Sequence, residues 1–192
     1  NPPAGATTPM FTRLSPDYET GNGPNEVAIG DVNRDGKPDL VTVNSFAGTI
    51  SVLINTSPFG GPPAFVRLLP DAAAATGPVS IVMGDLDRNG MLDLAVANHL
   101  SNDVSVLLGN GDGTFGPHTE FPIGAESYSV AIGDLNRDGK LDLATASYST
   151  NNVSVLIGNG DGTFAAMSAI QVGGPSIAVA IGDLNYDGKP DL

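Results

Sequence analysis

Asp134-Leu-Asn-Arg-Asp-Gly-Lys-Leu-Asp-Leu143 decides the fold, because it is one of four near-copies. The pattern Asp-x-Asn-x-Asp-Gly-x-x-Asp-Leu also occupies Asp31 to Leu40 and Asp183 to Leu192. It recurs at Asp85 to Leu94 with the third and fifth positions exchanged, as Asp87 and Asn89. The leading residues Asp31, Asp85, Asp134 and Asp183 stand 54, 49 and 49 positions apart. Self-similarity at a period near 50 marks a propeller, a solenoid or a tandem array.

Between the copies the pattern is strand-like. In the third repeat, Ser129-Val-Ala-Ile132 precedes the loop. Leu141 to Ala146, Asn152 to Ile157 and Phe164 to Val172 follow it, all rich in Val, Ile, Ala and Thr. No segment carries a sustained helical period. Four short strands per repeat predict an all-β protein made of propeller blades, each of four antiparallel strands. Gly109-Asn-Gly-Asp-Gly-Thr-Phe115 and Gly158-Asn-Gly-Asp-Gly-Thr-Phe164 supply the positive-φ dipeptides of a tight turn between third and fourth strands. The first repeat has Asn55-Thr-Ser-Pro-Phe-Gly-Gly-Pro-Pro63 there, read as an irregular protruding loop because its prolines cannot continue a ladder.

The repeats span 25–77, 78–126 and 127–175, with a partial fourth at 176–192. Residues 1–30 are read as the last strand of a preceding blade plus the first strand of the first repeat. That makes about 3.8 repeats in one propeller domain. An open arc leaves unpaired strand edges. Three arrangements stay open: a fragment of a longer ring, two copies closing one ring, or copies adding edge to edge into a fibre. The chain opens on Asn1 rather than Met, which suggests a processed or excised chain.

Composition narrows the function classes. Of 192 residues, 21 are acidic and 8 basic, a net charge of −13, and 12 of the acidic residues lie in the four loops. So few Lys and Arg, forming no patch, argue against nucleic-acid binding. The absence of cysteine excludes disulfides, thiolate zinc sites and cysteine nucleophiles. No apolar run reaches the ~18 residues of a membrane span.

The loops themselves predict calcium. Calcium takes 6–8 oxygen ligands, many from carboxylates. Side chains at loop positions 1, 3 and 5 converge when glycine at position 6 lets the backbone turn. Position 7 offers its carbonyl, and position 9 a further carboxylate. The candidate ligands are therefore Asp31, Asn33, Asp35, Lys37 and Asp39; Asp85, Asp87, Asn89, Met91 and Asp93; Asp134, Asn136, Asp138, Lys140 and Asp142; and Asp183, Asn185, Asp187, Lys189 and Asp191. Lys37, Met91, Lys140 and Lys189 serve through the backbone carbonyl. One such segment alone is equally ordinary Asx-turn chemistry; the fourfold recurrence with Asp fixed at position 9 favours the metal. The twelfth position is Thr42, Val96 or Thr145 rather than the bidentate Glu of an EF-hand. An affinity near 10⁻⁴–10⁻³ M is expected, enough to fill the site outside a cell.

Other residues carry weaker signals. Asp112 and Asp161 are read as turn residues before calcium ligands. His99 and His118 occupy unmatched positions and are read as surface or loop histidines. Phe11, Phe115 and Phe164 are equivalent and expected to pack between blades. Asn55-Thr-Ser57 and Asn152-Val-Ser154 match the glycosylation sequon. No G-x-S-x-G, Walker or H-E-x-x-H motif occurs.

The run from Gly133 to Leu143, followed by Val153-Ser-Val-Leu-Ile-Gly-Asn-Gly-Asp-Gly-Thr-Phe164, resembles the FG-GAP/VCBS repeat family across nearly the whole chain. The literal Phe-Gly…Gly-Ala-Pro signature is absent, so the VCBS-like variant is the better match. The resemblance implies a β-propeller, usually seven-bladed, with calcium in the loop between the first two strands of a blade. Integrin α-subunit heads and some fungal lectins share the plan. Members are mostly extracellular and serve adhesion, ligand binding or matrix roles. The expected function is thus a non-enzymatic, secreted, calcium-binding module for adhesion or ligand binding, with protein chains or glycans as partners. Two alternatives stand beside it: a structural protomer of an extracellular fibre assembled through open edges, and an accessory domain of a larger secreted enzyme.

Overall fold

The computed structural model describes residues 17–124 and 126–192. Thirteen strands and no helix occur among them: β1 (Pro24–Gly30), β2 (Asp39–Asn44), β3 (Thr49–Asn55), β4 (Phe65–Arg67), β5 (Ala72–Ala73), β6 (Pro78–Gly84), β7 (Asp93–Asn98), β8 (Asp103–Leu107), β9 (Thr119–Pro122), β10 (Ser127–Gly133), β11 (Asp142–Ser147), β12 (Asn152–Leu156) and β13 (Ser168–Gln171). They form three antiparallel sheets in sequence order: β1–β2–β3–β4, β6–β7–β8–β9 and β10–β11–β12–β13. These are the propeller blades expected from the sequence, arranged as an arc rather than a closed ring. The first differs from expectation by a fifth strand. The short β5 pairs with β3 at Thr49 and Ile50, beyond the stretch that β4 covers. The last strand of the third blade is also shorter than the Phe164 to Val172 segment. Only the isolated Gly158–Phe164 bridge closes the turn before β13 begins.

The innermost strands stand side by side, with β6 between β1 and β10. The second and third strands of each blade are largely buried, and the middle blade is covered front and back by its neighbours. All six residues of β7 and of β11 are buried. One apolar cluster joins blades one and two through Val41, Val43, Ile50, Leu94, Val96 and Leu107. A second joins blades two and three through Ala95, Val104, Val106, Leu143 and Leu156. Phe115 packs on the first cluster and Phe164 on the second, as their equivalence suggests. Phe11 lies outside the described residues, as does much of the segment 1–30.

A bulge recurs at the same place in each innermost strand, just before Glu26, Ser80 and Ser129. It turns those side chains toward the next blade. Glu26 Oε2 accepts the Ile81 amide at 2.7 Å, Ser80 Oγ accepts that of Val130 at 3.2 Å, and Ser129 Oγ accepts that of Val179 at 3.3 Å. Val179 belongs to the fourth repeat. There the bridge between Gly182 and Asp191 is the only strand pairing among the described residues.

Candidate functional site

Each of the first three acidic loops joins the first strand of a blade to the second, and the fourth lies between the bridged Gly182 and Asp191. The sharp path of each loop needs two left-handed residues. Position 4, held by Arg34, Arg88, Arg137 or Tyr186, has φ of 61°, 63°, 64° or 61°; the glycine at position 6 has φ between 77° and 83°. Carboxylates at position 1 hold the turn. Asp31 Oδ1 accepts the Asp35 amide at 3.0 Å and Oδ2 the Gly36 amide at 2.8 Å. Asp85, Asp134 and Asp183 repeat both bonds. Position 3 adds a bond to the amide at position 5, from Asn33, Asp87, Asn136 or Asn185.

Position 5 faces the loop's own exit. Asp35, Asn89, Asp138 and Asp187 each accept the position-7 amide, of Lys37, Met91, Lys140 or Lys189. The three lysines also bring their Nζ within 3.8, 3.4 and 3.7 Å of the same carboxylates. Asp138 is held below the ordinary carboxylate range. Desolvation pushes the other way, but bonds from the Lys140 amide, the Asn136 side chain and the Lys140 ammonium outweigh it.

Position 9 is different in kind. Asp39, Asp93 and Asp142 are completely buried. Asp93 Oδ2 accepts the amides of Leu86 at 2.7 Å and Asp87 at 3.3 Å, while Oδ1 accepts that of Gly109 at 2.8 Å. Asp39 holds Val32 and Asn55 in the same way, and Asp142 holds Leu135, Asn136 and Gly158. Each carboxylate therefore ties its loop to the far end of the blade's third strand. The backbone comes so close here that a Cβ at Gly109 or Gly158 would collide with the carbonyl of Leu92 or Leu141. Burial raises the Asp93 carboxyl above its usual range, and the charge of Asp87 adds to this; the amides of Gly109, Leu86 and Asp87 oppose it without cancelling it.

In the second loop these positions converge. Asp85, Asp87 and Asp93 each offer an oxygen within 4.8 Å of the others. This is an all-oxygen, strongly anionic donor set, without sulfur or imidazole, and it fits a hard divalent cation such as calcium. In loops one, three and four, Asn33, Asn136 and Asn185 bring an amide oxygen to the same position. Asp112 and Asp161 instead cap their own hairpins, each accepting the amide and hydroxyl of the threonine two residues on.

Loop position 2 was invisible as a functional position in the sequence. Val32 and Leu86 are buried in the clusters shared with the next blade. Their carbonyls accept the amides of Gly113 and Gly162 at 3.0 and 3.2 Å, from the next blade's hairpin. The available signal was that position 2 is Val32, Leu86, Leu135 or Leu184, apolar inside a polar loop.

At the opposite end of the blades, a cavity of about 420 Å³ opens between the first and second. Phe46, Thr76, Ser101, His118 and Glu120 line it. His118 Nε2 lies 3.3 Å from Glu120 Oε1. His99 is half-buried in the turn after β7, a loop histidine, its ring centroid 4.3 Å from that of Tyr128. Of the sequon residues, Asn55 donates its side-chain amide to the Pro38 carbonyl, and Asn152 has a buried Oδ1.

A family model described as FG-GAP-like repeat matches residues 31–96, 85–145 and 134–192. The chain belongs to the FG-GAP-like repeat family. The three overlapping matches each begin on a position-1 aspartate and run through the next acidic loop. None of the curated proteins matches this FG-GAP-like chain in sequence. Among solved structures it is similar to an Agrocybe aegerita lectin described as recognising non-reducing terminal N-acetylglucosamine. The TM-score is 0.59 at 21% identity, over 88% of this chain and 46% of the lectin. It is also similar to BBS1N in a complex with ARL6DN soaked with lead, with a TM-score of 0.56 at 14% identity, over 87% of this chain and 49% of that one. The chain thus spans about half the length of these structures, and the likeness is one of fold.

Proposed function

We propose that this FG-GAP-like chain is a non-enzymatic, calcium-stabilised β-propeller module that works outside the cell in adhesion or ligand binding, with a glycan as the favoured ligand class. The convergence of Asp85, Asp87 and Asp93, in a loop type present four times, carries the calcium part. Two carboxylates ~4 Å apart repel by about 4 kcal/mol at an effective dielectric of 20. A bound divalent cation would remove that repulsion. Asp39, Asp93 and Asp142 would then lend it one oxygen while continuing to hold backbone amides. Extracellular calcium concentrations suit loops that lack a bidentate Glu. The sequence offers no nucleophile–base motif, which supports a binding rather than catalytic role.

The glycan part rests on the lectin among the structural neighbours and on the cavity beside Phe46, where an aromatic face stands near polar groups of Thr76, Ser101 and Glu120. Glycan-array binding in millimolar calcium tests it. Binding that EGTA removes and Phe46→Ala weakens is the expected result. An array without a hit, from a protein that demonstrably holds calcium, would count against the glycan class and leave protein ligands.

Assembly through blade edges is a second reading with its own observation. Val27 and Ile29 on β1 are 53% and 66% exposed, whereas Ile81 and Val130, equivalent to Val27, are buried against a preceding blade, and Met83 and Ile132, equivalent to Ile29, are partly buried there. A particle of a single chain's mass in light scattering, with calcium present, would set this reading aside.

A further inference from the structure

The acidic loops and the Asn-Gly-Asp-Gly hairpins alternate along one continuous path of hydrogen bonds. The Val32 carbonyl of the first loop accepts the Gly113 amide, at the tip of the second blade's hairpin. The base of that hairpin, the Gly109 amide, is held by Asp93 Oδ1. Asp93 Oδ2 holds the Leu86 amide of the second loop. The Leu86 carbonyl then accepts Gly162, at the tip of the third blade's hairpin. Gly158, at its base, is held by Asp142, which holds Leu135 of the third loop. Val32 and Leu86 also bury their side chains in the next blade's core. Loops one and two are therefore each fixed to their own blade by a carboxylate and to the next by a carbonyl and an apolar side chain.

We infer that this relay couples the loops energetically, so that a calcium ion held by one raises the affinity of the loop in the neighbouring blade. The inference rests on the calcium reading above. An ion on Asp93 fixes the carboxylate that anchors Gly109. That orders the hairpin whose Gly113 docks on Val32, and so narrows the first loop toward its bound shape. Coupling of this kind is reciprocal: the first loop, once filled, favours the second by the same factor. The hairpin between two loops is the coupling element, and its rigidity depends on Asp112 or Asp161. Asp112 Oδ1 accepts the Thr114 amide at 2.9 Å and its hydroxyl at 2.6 Å. Neither aspartate belongs to a loop, so the relay can be cut without touching a candidate ligand.

The test is hydrogen exchange of the peptides covering 31–39, 85–93 and 134–142 during a calcium titration of the wild type, D112A, D112N and D161A. D112A should raise the calcium needed to protect the first two loops by about fivefold or more, the lower range of inter-site coupling, and leave the third unchanged. D161A should shift the second and third and spare the first. D112N keeps the Oδ1 acceptor and should behave as wild type, which separates turn rigidity from direct ligation. Equal shifts in all three loops, or none, would overturn the coupling while leaving calcium binding intact. Calcium without effect on any wild-type loop would remove both readings together.

Discussion

Ser80 and Val130, fifty positions apart, fasten two blades together: Ser80 Oγ accepts the Val130 amide at 3.2 Å, and both residues are buried. The same contact recurs one blade earlier through Glu26 and Ile81, and one repeat later through Ser129 and Val179. The bulge preceding each acceptor is what aims it across the gap. Water cannot replace the lost acceptor at a junction so enclosed.

Ser80→Ala should therefore destabilise the protein by about 1–3 kcal/mol, the cost of leaving a buried amide unsatisfied. Ser129→Ala should cost less, because its junction with Val179 is only partly buried. Urea unfolding of both variants, in calcium and in EGTA, checks the order. Equal costs would mean that the contact at Ser80 contributes no more than an exposed one.

The buried position-9 aspartates should matter even without metal. Asp142→Asn leaves one acceptor oxygen where two now hold Leu135, Asn136 and Gly158. A loss of about 3 kcal/mol in EGTA is expected, since bonds to a charged group are each worth about 1.5–3 kcal/mol. Asp138→Asn, in the same loop but exposed, should change stability little in EGTA and weaken calcium binding instead. Denaturation in EGTA beside calcium titration separates the two. Identical behaviour would refute the division of labour between positions 5 and 9.

Loops two and three should respond differently to acid. The Asp93 carboxyl is raised, so its ionised form costs the metal-free fold stability above its folded pKa, and that cost fades as pH falls through it. Asp138 is lowered, so its contribution is present above the unfolded value and is lost as pH falls through the lower folded one. Protons thus compete with calcium at Asp93 at a higher pH than at Asp138. On acidification the second loop should lose calcium-dependent protection before the third. Hydrogen exchange across a pH series shows the order, and simultaneous loss would contradict it.

Much of this was legible in the sequence because it repeats. The loop spacing gave the blade count, the Asn-Gly-Asp-Gly runs gave the hairpins, and the prolines after Asn55 marked a connection that does stand away from the sheet, with Phe59 fully exposed. What lay hidden was long-range. Asp93 looked like one ligand among five, and nothing local reveals that it also holds Gly109, sixteen positions on. Val32 and Leu86 occupied variable places in a polar motif, and their apolar character had no meaning until the next blade was seen beside them. β5 was missed because Ala72-Ala73 is too short to carry a period, and its pairing with Thr49 and Ile50 depends on where β4 stops.

The central claim is that the four loops bind calcium and that the fold depends on it. Equilibrium dialysis against millimolar calcium, with thermal unfolding of the same samples with calcium and in EGTA, tests this most directly. The expected result is more than one ion bound per chain and a higher melting temperature in calcium. With Kd near 10⁻⁴–10⁻³ M, calcium at about 1 mM is roughly 1–10-fold over Kd, and each filled site should add roughly 0.4–1.4 kcal/mol before any coupling. A chain that retains no calcium at millimolar concentration, and melts at one temperature in calcium and EGTA alike, would contradict it and reduce the loops to turns.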